Sequence, residues 1–263
     1  MSAVSTDVSG ALRLGRALSW MTLGLGFFLL ALLLTLPAAQ LVAWLKLPLA
    51  DVRGSVWQGE ARLALPRLQL QSLSWRMGLG APWATPLVAQ IKLKDDSLHA
   101  QGRLGLHWDG ALSLYDAQAD LRLNHPLLTQ RLPMALDGAL RFSLSAATWS
   151  QGVQQAKGVR LELDGLRLLS SEPLILGSFA AQGEVTDGKL TAKLRDTAGV
   201  LSLQGAVQGD AASGVSLNAR AQAKADAPAE LRDMLSLLPA APDGGASLQG
   251  RVPAPWLAKQ PEK

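Results

Sequence analysis

Apolar and polar residues alternate with a period of two over much of the chain. From Leu98 to Trp108, apolar or small residues take every second position and mostly polar residues take the positions between them. The alternation recurs at 159–164, 190–194 and 215–219. A period of two is typical of β-strands that bury one face, so the pattern predicts six or more short antiparallel strands.

Turn signals separate these strands. Asp109–Gly110 stands between two alternating runs and is a strong hairpin signal. Further turns are predicted at Thr186–Lys189 and Asp196–Gly199, and Gly165 is predicted to end the strand that starts at Val159. The predicted fold is therefore mostly β, an antiparallel meander. Alternation alone leaves open whether it is a curved open sheet or a sandwich.

The start of the chain has a different pattern, with no charged residue from Ala17 to Leu45. Its densest apolar part is Leu18–Leu36, and about 20 such residues span roughly 30 Å, the thickness of a bilayer core. This predicts a single N-terminal transmembrane helix. Arg13 and Arg16 precede it against only Asp7, which favours a cytoplasmic N-terminus.

This anchor divides the chain into four predicted parts. They are a cytoplasmic N-terminus (1–16), a transmembrane anchor (17–45), an exported β-domain (46–252) and a disordered tail (253–263). A cleaved signal peptide is the alternative, but the apolar stretch is long for one and a small-residue cleavage site is poor. In either case, everything after Lys46 is predicted to lie across the membrane from the cytosol.

One late segment has helical periodicity. Between Pro228 and Pro239, four apolar residues recur at i, i+3, i+4 and i+7 and predict a short C-terminal amphipathic helix. These residues are Leu231, Met234, Leu235 and Leu238. Two interpretations stay open. The helix covers an edge or end of the sheet, or its apolar face is a partner-contact surface.

Composition excludes several classes of function. The chain has no cysteine and three histidines, which leaves little basis for a metal site. The 25 Lys and Arg residues against 21 Asp and Glu give a net charge of +4 with no basic cluster, so no nucleic-acid partner is expected. Phosphate-binding and nucleophile-elbow motifs are absent from the sequence. We therefore predict no cofactor, no metal, no catalytic residue and no enzymatic activity.

A short motif follows the predicted anchor. Gly54-Ser55-Val56-Trp57-Gln58-Gly59 is followed by Leu73-Ser74-Trp75. With the anchor, the late helix and a last strand, this layout resembles the type II secretion system protein N family. The family-motif residues are Gly54, Val56, Trp57, Gly59, Leu73 and Trp75. A purely structural interpretation is that 54–59 is a first strand with Trp57 in the core.

The resemblance implies a role in the secretion machinery. It implies a non-catalytic accessory component of the bacterial inner membrane, with a single span and most of the chain in the periplasm. The periplasmic β-domain, 46–252, would contact other inner-membrane or secretin-linked subunits. The composition also resembles that of AsmA-like proteins, which gives a periplasmic lipid-binding or lipid-transfer module as the alternative function, with lipid as partner. The groove would then be lined by Leu104, Leu106, Trp108, Leu112, Leu114, Leu161, Leu163, Leu190 and Leu194.

Overall fold

A computed structural model describes residues 27, 28, 31, 35–65, 68–124, 135–150, 153–169, 173–210, 213–242 and 245–253. Within these residues lie two helices, α1 (Ala38–Leu45) and α2 (Ala229–Ser236). The described strands are β1 (Leu49–Gly54), β2 (Gln58–Leu65), β3 (Leu68–Leu79), β4 (Leu87–Lys94), β5 (Leu98–Leu106), β6 (Leu112–Arg122), β7 (Leu136–Trp149), β8 (Val153–Leu168), β9 (Leu174–Thr186), β10 (Lys189–Ala198), β11 (Leu201–Asp210), β12 (Gly214–Ala223) and β13 (Ala246–Val252).

All the described strands belong to one antiparallel sheet. Each strand pairs with the strands before and after it in sequence, in the order β1 to β13. The predicted meander is confirmed, and Asp109–Gly110 and Asp187–Gly188 are the turns that join β5 to β6 and β9 to β10. The sandwich alternative is wrong, because each connection returns the chain to the adjacent position instead of starting a second layer.

The register places apolar residues on one face of this sheet. Directly paired residues point to the same side, so a chain of pairs identifies a row across the strands. One row, from β2 to β13, contains only apolar or small residues: Ala61, Leu73, Leu93, Ala100, Ala119, Phe142, Leu161, Ala181, Leu194, Gly205, Ala219 and Leu248. We call this side of the sheet the apolar face.

The opposite side carries the polar residues. The adjacent row contains Glu60, Ser74, Lys92, Gln101, Gln118, Ser143, Arg160, Gln182, Lys193, Ala206, Asn218 and Gln249. Its members are polar or charged except for one alanine. Because side chains alternate along every strand, a one-residue slip in any register would exchange the two faces. The hydrophobic pattern therefore fixes the register across the whole sheet.

A cluster of buried apolar residues lies in the middle of the apolar face. Ala117 of β6, Leu144 and Ala147 of β7, Ala156 of β8 and Val185 of β9 form part of one cluster, against which neighbouring apolar side chains pack. Helix α1 contacts β1, and α2 contacts β12. Each helix thus lies near one margin of the sheet, so the centre of the apolar face is packed mainly by side chains of the sheet itself.

Two predicted strand ends are wrong. β8 continues through Gly165, which has φ +60° and lies where the register against β9 shifts, so this glycine forms a bulge instead of a stop. β10 continues through Asp196 to Ala198, and the turn to β11 is only two residues long. Conversely, β5 ends at Leu106, so Trp108 lies in a turn and does not share the face of Leu104.

Most of the predicted anchor lies outside the described residues. Phe27, Phe28, Ala31 and Thr35 have helical backbone, and residues 38–45 form α1, which contacts β1. Among the described residues, no helix combines the length and the apolar character needed to cross a bilayer. The predicted disordered tail also lies outside the described residues from 254 onward.

Candidate functional site

The family-motif residues 54–59 form a tight hairpin instead of one continuous strand. β1 ends at Gly54, whose φ of +94° favours glycine, and β2 begins at Gln58. The backbone N–H of Ser55 donates to the carbonyl oxygen of Gln58 at 2.8 Å, and the Gln58 N–H donates to Ser55 Oγ at 3.3 Å. The single-strand interpretation is wrong: Trp57 lies in the turn and is half-buried.

The second half of the motif packs onto this hairpin. Trp75 in β3 pairs directly with Gly59 in β2. Its Nε1–H donates to the carbonyl oxygens of Val56 at 3.0 Å and Ser55 at 3.3 Å. A Cβ on Gly59 would lie 2.5 Å from Trp75 Cζ2, so only glycine leaves room for the indole ring. Trp75 and Gly59 therefore form one structural unit.

The same hairpin holds the incoming chain. The Val56 N–H donates to the carbonyl oxygen of Leu36 at 3.1 Å, and Pro37 forms an antiparallel bridge with Ser55. On the other side, the Met77 N–H donates to the carbonyl oxygen of Trp57 at 2.6 Å. The motif thus binds the residues before α1 to the first three strands, and we call this arrangement the joint.

The remaining motif residues have simpler positions. Leu73 lies in the apolar row between Ala61 and Leu93, and Val56 is half-buried in the turn. A depression of about 440 Å³ lies beside the joint. Its lining contains three cationic side chains, Arg53, Arg76 and Lys92, and one carboxylate, Glu60. The depression therefore has a net positive charge, which favours contact with an anionic group.

The apolar face is the second candidate site. Leu104 pairs with Leu114, and Leu106 pairs with Leu112. Leu161 belongs to the apolar row, and Leu163, Leu190 and Leu194 share that face through their registers. The structure thus brings together every predicted groove residue except Trp108. Leu106, Leu112 and Leu161 are exposed, so part of this face meets solvent in the described structure.

Helix α2 presents its predicted apolar residues unequally. Leu231 is 3% exposed and Leu235 is half-buried, whereas Met234 and Leu238 are exposed. The helix ends at Ser236, so Leu238 follows it in the next turn. The burial of Leu231 is consistent with its attaching the helix to the sheet. Met234 and Leu238 are exposed, and their contact with a partner stays a prediction.

The outer edge of β13 is only partly covered. The Ser247 N–H donates to the carbonyl oxygen of Pro239 at 2.7 Å, on the side away from β12. Because N–H groups two residues apart point the same way, those of Gln249 and Arg251 also point outward. No described strand pairs with this part of the edge. It presents backbone donors and acceptors that a partner strand could pair with.

Two polar clusters were not singled out in the sequence analysis. Ser113 is fully buried, contacts His107 Nε2 at 2.7 Å and lies 3.4 Å from Thr148 Oγ1. Lys224 Nζ lies 2.9 Å from Asp196 Oδ2. Ser113 and Thr148 are a directly paired couple of β6 and β7, and Lys224 follows β12 whereas Asp196 lies in β10. Alternation gives no signal for either cluster, because it does not specify which residues of different strands meet. Among the described residues, no group of three or more His, Asp or Glu side chains could hold a metal ion.

The fold and the joint define a class of protein: a single-sheet meander whose first hairpin holds an apolar N-terminal segment. The family model for type II secretion system protein N matches residues 45–253. The chain therefore belongs to the type II secretion system protein N family, and the resemblance stated from the motif is confirmed. Neither the search of curated proteins nor the search of solved structures gave a match.

Proposed function

We propose that this protein is a non-catalytic accessory component of the type II secretion machinery in the bacterial inner membrane. Residues 17–45 contain the anchor, with the span in Leu18–Leu36, and the N-terminus is cytoplasmic. The sheet lies in the periplasm and contacts other inner-membrane or secretin-linked subunits. Family membership supports the pathway, and the matched region, 45–253, contains all the described strands.

The observation that carries the partner contact is the outer edge of β13. Gln249 and Arg251 present backbone groups that no described strand uses, and a partner strand added there gains main-chain hydrogen bonds. The start of the same edge is covered by Pro239 and by the Ala240–Ala246 bridge. The exposed part is therefore short, which suits a specific partner better than unlimited edge-to-edge association.

The test is photo-crosslinking in intact cells from the full-length protein. A photoreactive residue at Gln249 samples the edge, and the same residue at Gln182 samples the polar face far from both edges. We expect a covalent product with an identified subunit of the secretion machine from position 249 and none from 182. Equal capture of unrelated proteins from both positions would contradict the proposal.

A backbone variant separates edge pairing from side-chain contact. Gln249→Pro removes the outward N–H, whereas Gln249→Ala keeps it. Crosslinking from the neighbouring Arg251 is expected to fall in the proline variant and to persist in the alanine variant. Leu248→Pro serves as the destructive control, because its N–H points toward β12 and belongs to the ladder. Equal crosslinking in the 249 proline and alanine variants would exclude strand addition at this edge.

The exposed leucines favour a second candidate function, lipid binding on the apolar face. Leu161 is exposed in the middle of the apolar row, where a soluble monomer rarely leaves a large contiguous patch. A photoreactive residue at Leu161 would give a phospholipid adduct if the face holds acyl chains. Arg160, its exposed neighbour on the polar face, is the matched control. A protein adduct at 161 would instead identify this face as a second subunit contact, and no lipid adduct would exclude the lipid function.

A further inference from the structure

Four tryptophans gather at one end of the sheet. In an antiparallel meander, the turns after odd-numbered strands all lie at the same end. Trp57 lies in the β1–β2 turn, Trp83 in the β3–β4 loop and Trp108 in the β5–β6 turn, and Trp149 is the last residue of β7. They are half of the eight tryptophans in the chain. We call this end of the sheet the tryptophan end.

Two of these four indoles are largely exposed. Trp83 is 83% exposed and Trp108 is 73% exposed, and Leu79, at the end of β3, is also exposed. The β3–β4 loop, residues 80–86, has no charged residue. The β4–β5 turn at the other end of the sheet instead contains Asp95 and Asp96. These two connections, at opposite ends of the sheet, therefore differ in charge.

The loops at the tryptophan end are held together. Trp108 Nε1–H donates to the carbonyl oxygen of Pro82 at 2.6 Å, which links the β5–β6 turn to the β3–β4 loop. The indole of Trp108 is thus fixed in position while most of its surface stays exposed. Large aromatic rings with a polar edge suit the boundary between water and lipid headgroups, where Trp is enriched.

The apolar N-terminal segment joins the sheet at this same end. Leu36 and Pro37 bind Val56 and Ser55 in the β1–β2 turn, and the 18 residues before them, from Leu18, carry no charge. Phe27 and Phe28 have helical backbone and are exposed. A membrane entered by this segment would lie next to the tryptophan end. Trp44 lies at the far end of α1, away from this surface.

We propose that the tryptophan end rests on the phospholipid bilayer, with Trp83 and Trp108 in its interface. The inference rests on the proposed anchoring through Leu18–Leu36. The strands then rise from the membrane, and the β4–β5 turn is held away from it. β4 alone, with eight residues, spans about 26 Å at the usual rise of a strand. The exposed part of the β13 edge, from Gln249 to Val252, lies in the half of this strand that is nearer the tryptophan end, and is therefore close to the membrane surface.

The experiment uses the full chain in phospholipid vesicles. Because the chain has no cysteine, Ala84→Cys and Asp96→Cys each give one labelling site, one at each end of the sheet. Both positions are exposed. A fluorophore at 84 is expected to lose most of its emission when the vesicles carry nitroxide-labelled lipid, and a fluorophore at 96 is expected to keep it. Strong quenching at 96, or weak quenching at both positions, would overturn the inference.

Two controls distinguish failure of the inference about the tryptophan end from failure of the proposed anchor. Flotation with the vesicles through a density gradient reports membrane attachment independently of the probes. If the chain floats and position 84 is unquenched, the anchor stands and the inference is wrong; if the chain does not float, both are wrong. Trp83→Ala is expected to reduce the quenching at position 84. Trp44→Ala removes an indole that is 80% exposed but lies away from the tryptophan end, and is expected to leave the quenching unchanged.

Discussion

Trp75 Nε1–H donates to the carbonyl oxygen of Val56 at 3.0 Å, across 19 residues of sequence. This bond closes the β1–β2 hairpin against β3. The N–H of Val56 in turn holds Leu36, so one turn residue connects the third strand to the chain that enters the sheet. The residues that identify the family are thus those that fix the direction in which the N-terminal segment leaves the β-domain.

We expect Trp75→Phe to lower the free energy of unfolding by about 1–2 kcal/mol, because a partly buried carbonyl loses its donor while most of the ring is kept. Urea unfolding followed by far-UV circular dichroism of the detergent-solubilised chain measures the change. Trp83→Phe is the matched control, since that indole is exposed and should give almost no change. An equal effect of the two substitutions would argue against the hydrogen bond as the cause.

Gly59→Ala is expected to destabilise the chain by about 1–3 kcal/mol, because the new Cβ would overlap the Trp75 ring and the carbonyl oxygen of Arg53. Gly78→Ala in β3 tests the specificity of this effect, since a Cβ there meets nothing within 4 Å. We expect the second variant to be neutral or slightly stabilised, by under about 1 kcal/mol. The same urea measurement compares them, and an unaffected Gly59 variant would show that the joint adapts.

Leu231→Ala is expected to cost about 2–4 kcal/mol, because it removes the buried residue of α2. Leu237→Ala, at a residue 85% exposed, is expected to leave stability unchanged. Hydrogen exchange followed by mass spectrometry should show faster exchange in 229–236 for the first variant only. Unchanged exchange there in Leu231→Ala would mean that α2 does not depend on this side chain.

Stability is also expected to fall in acid through Asp196. The hydrogen bond from Lys224 lowers the pKa of Asp196 below its ordinary value, and bonds from the Leu203 N–H and the Ser202 hydroxyl act in the same direction, although burial opposes them. Because the folded-state pKa is the lower one, the contribution is complete above the ordinary carboxyl range and disappears as the pH falls through the folded-state value.

The comparison is between the wild type and Asp196→Asn. Because Lys224 is more than a third exposed, we expect the ion pair to contribute no more than about 1 kcal/mol near neutral pH. Urea midpoints are measured from pH 7 down to pH 3, and the difference between the two proteins should shrink as the pH falls. A difference that is constant across this range would assign the effect to packing and not to the charge of Asp196.

The sequence predicted the local features correctly where the hydrophobic pattern or a turn dipeptide by itself determines the backbone conformation. The alternation at 98–106 and the Asp-Gly pairs predicted strands and hairpins that the structure contains. Strand ends were predicted less accurately, since a glycine such as Gly165 ends a strand or forms a bulge depending on its neighbours. Trp57 was recognised as part of a motif, but its place in a turn depends on the bonds of Ser55 and Gln58, which are not visible in the pattern.

By itself, the sequence determined the period-two faces, the connecting turns, the charge-free segment and the motif of the family. These properties depend on residues close together along the chain. Only the tertiary structure decided that all the described strands form one sheet, that Trp75 packs on Gly59, and that Trp83 and Trp108 lie at the end where Leu36 enters. Alternation specifies which way a side chain points, but strand pairing specifies which distant residues it meets.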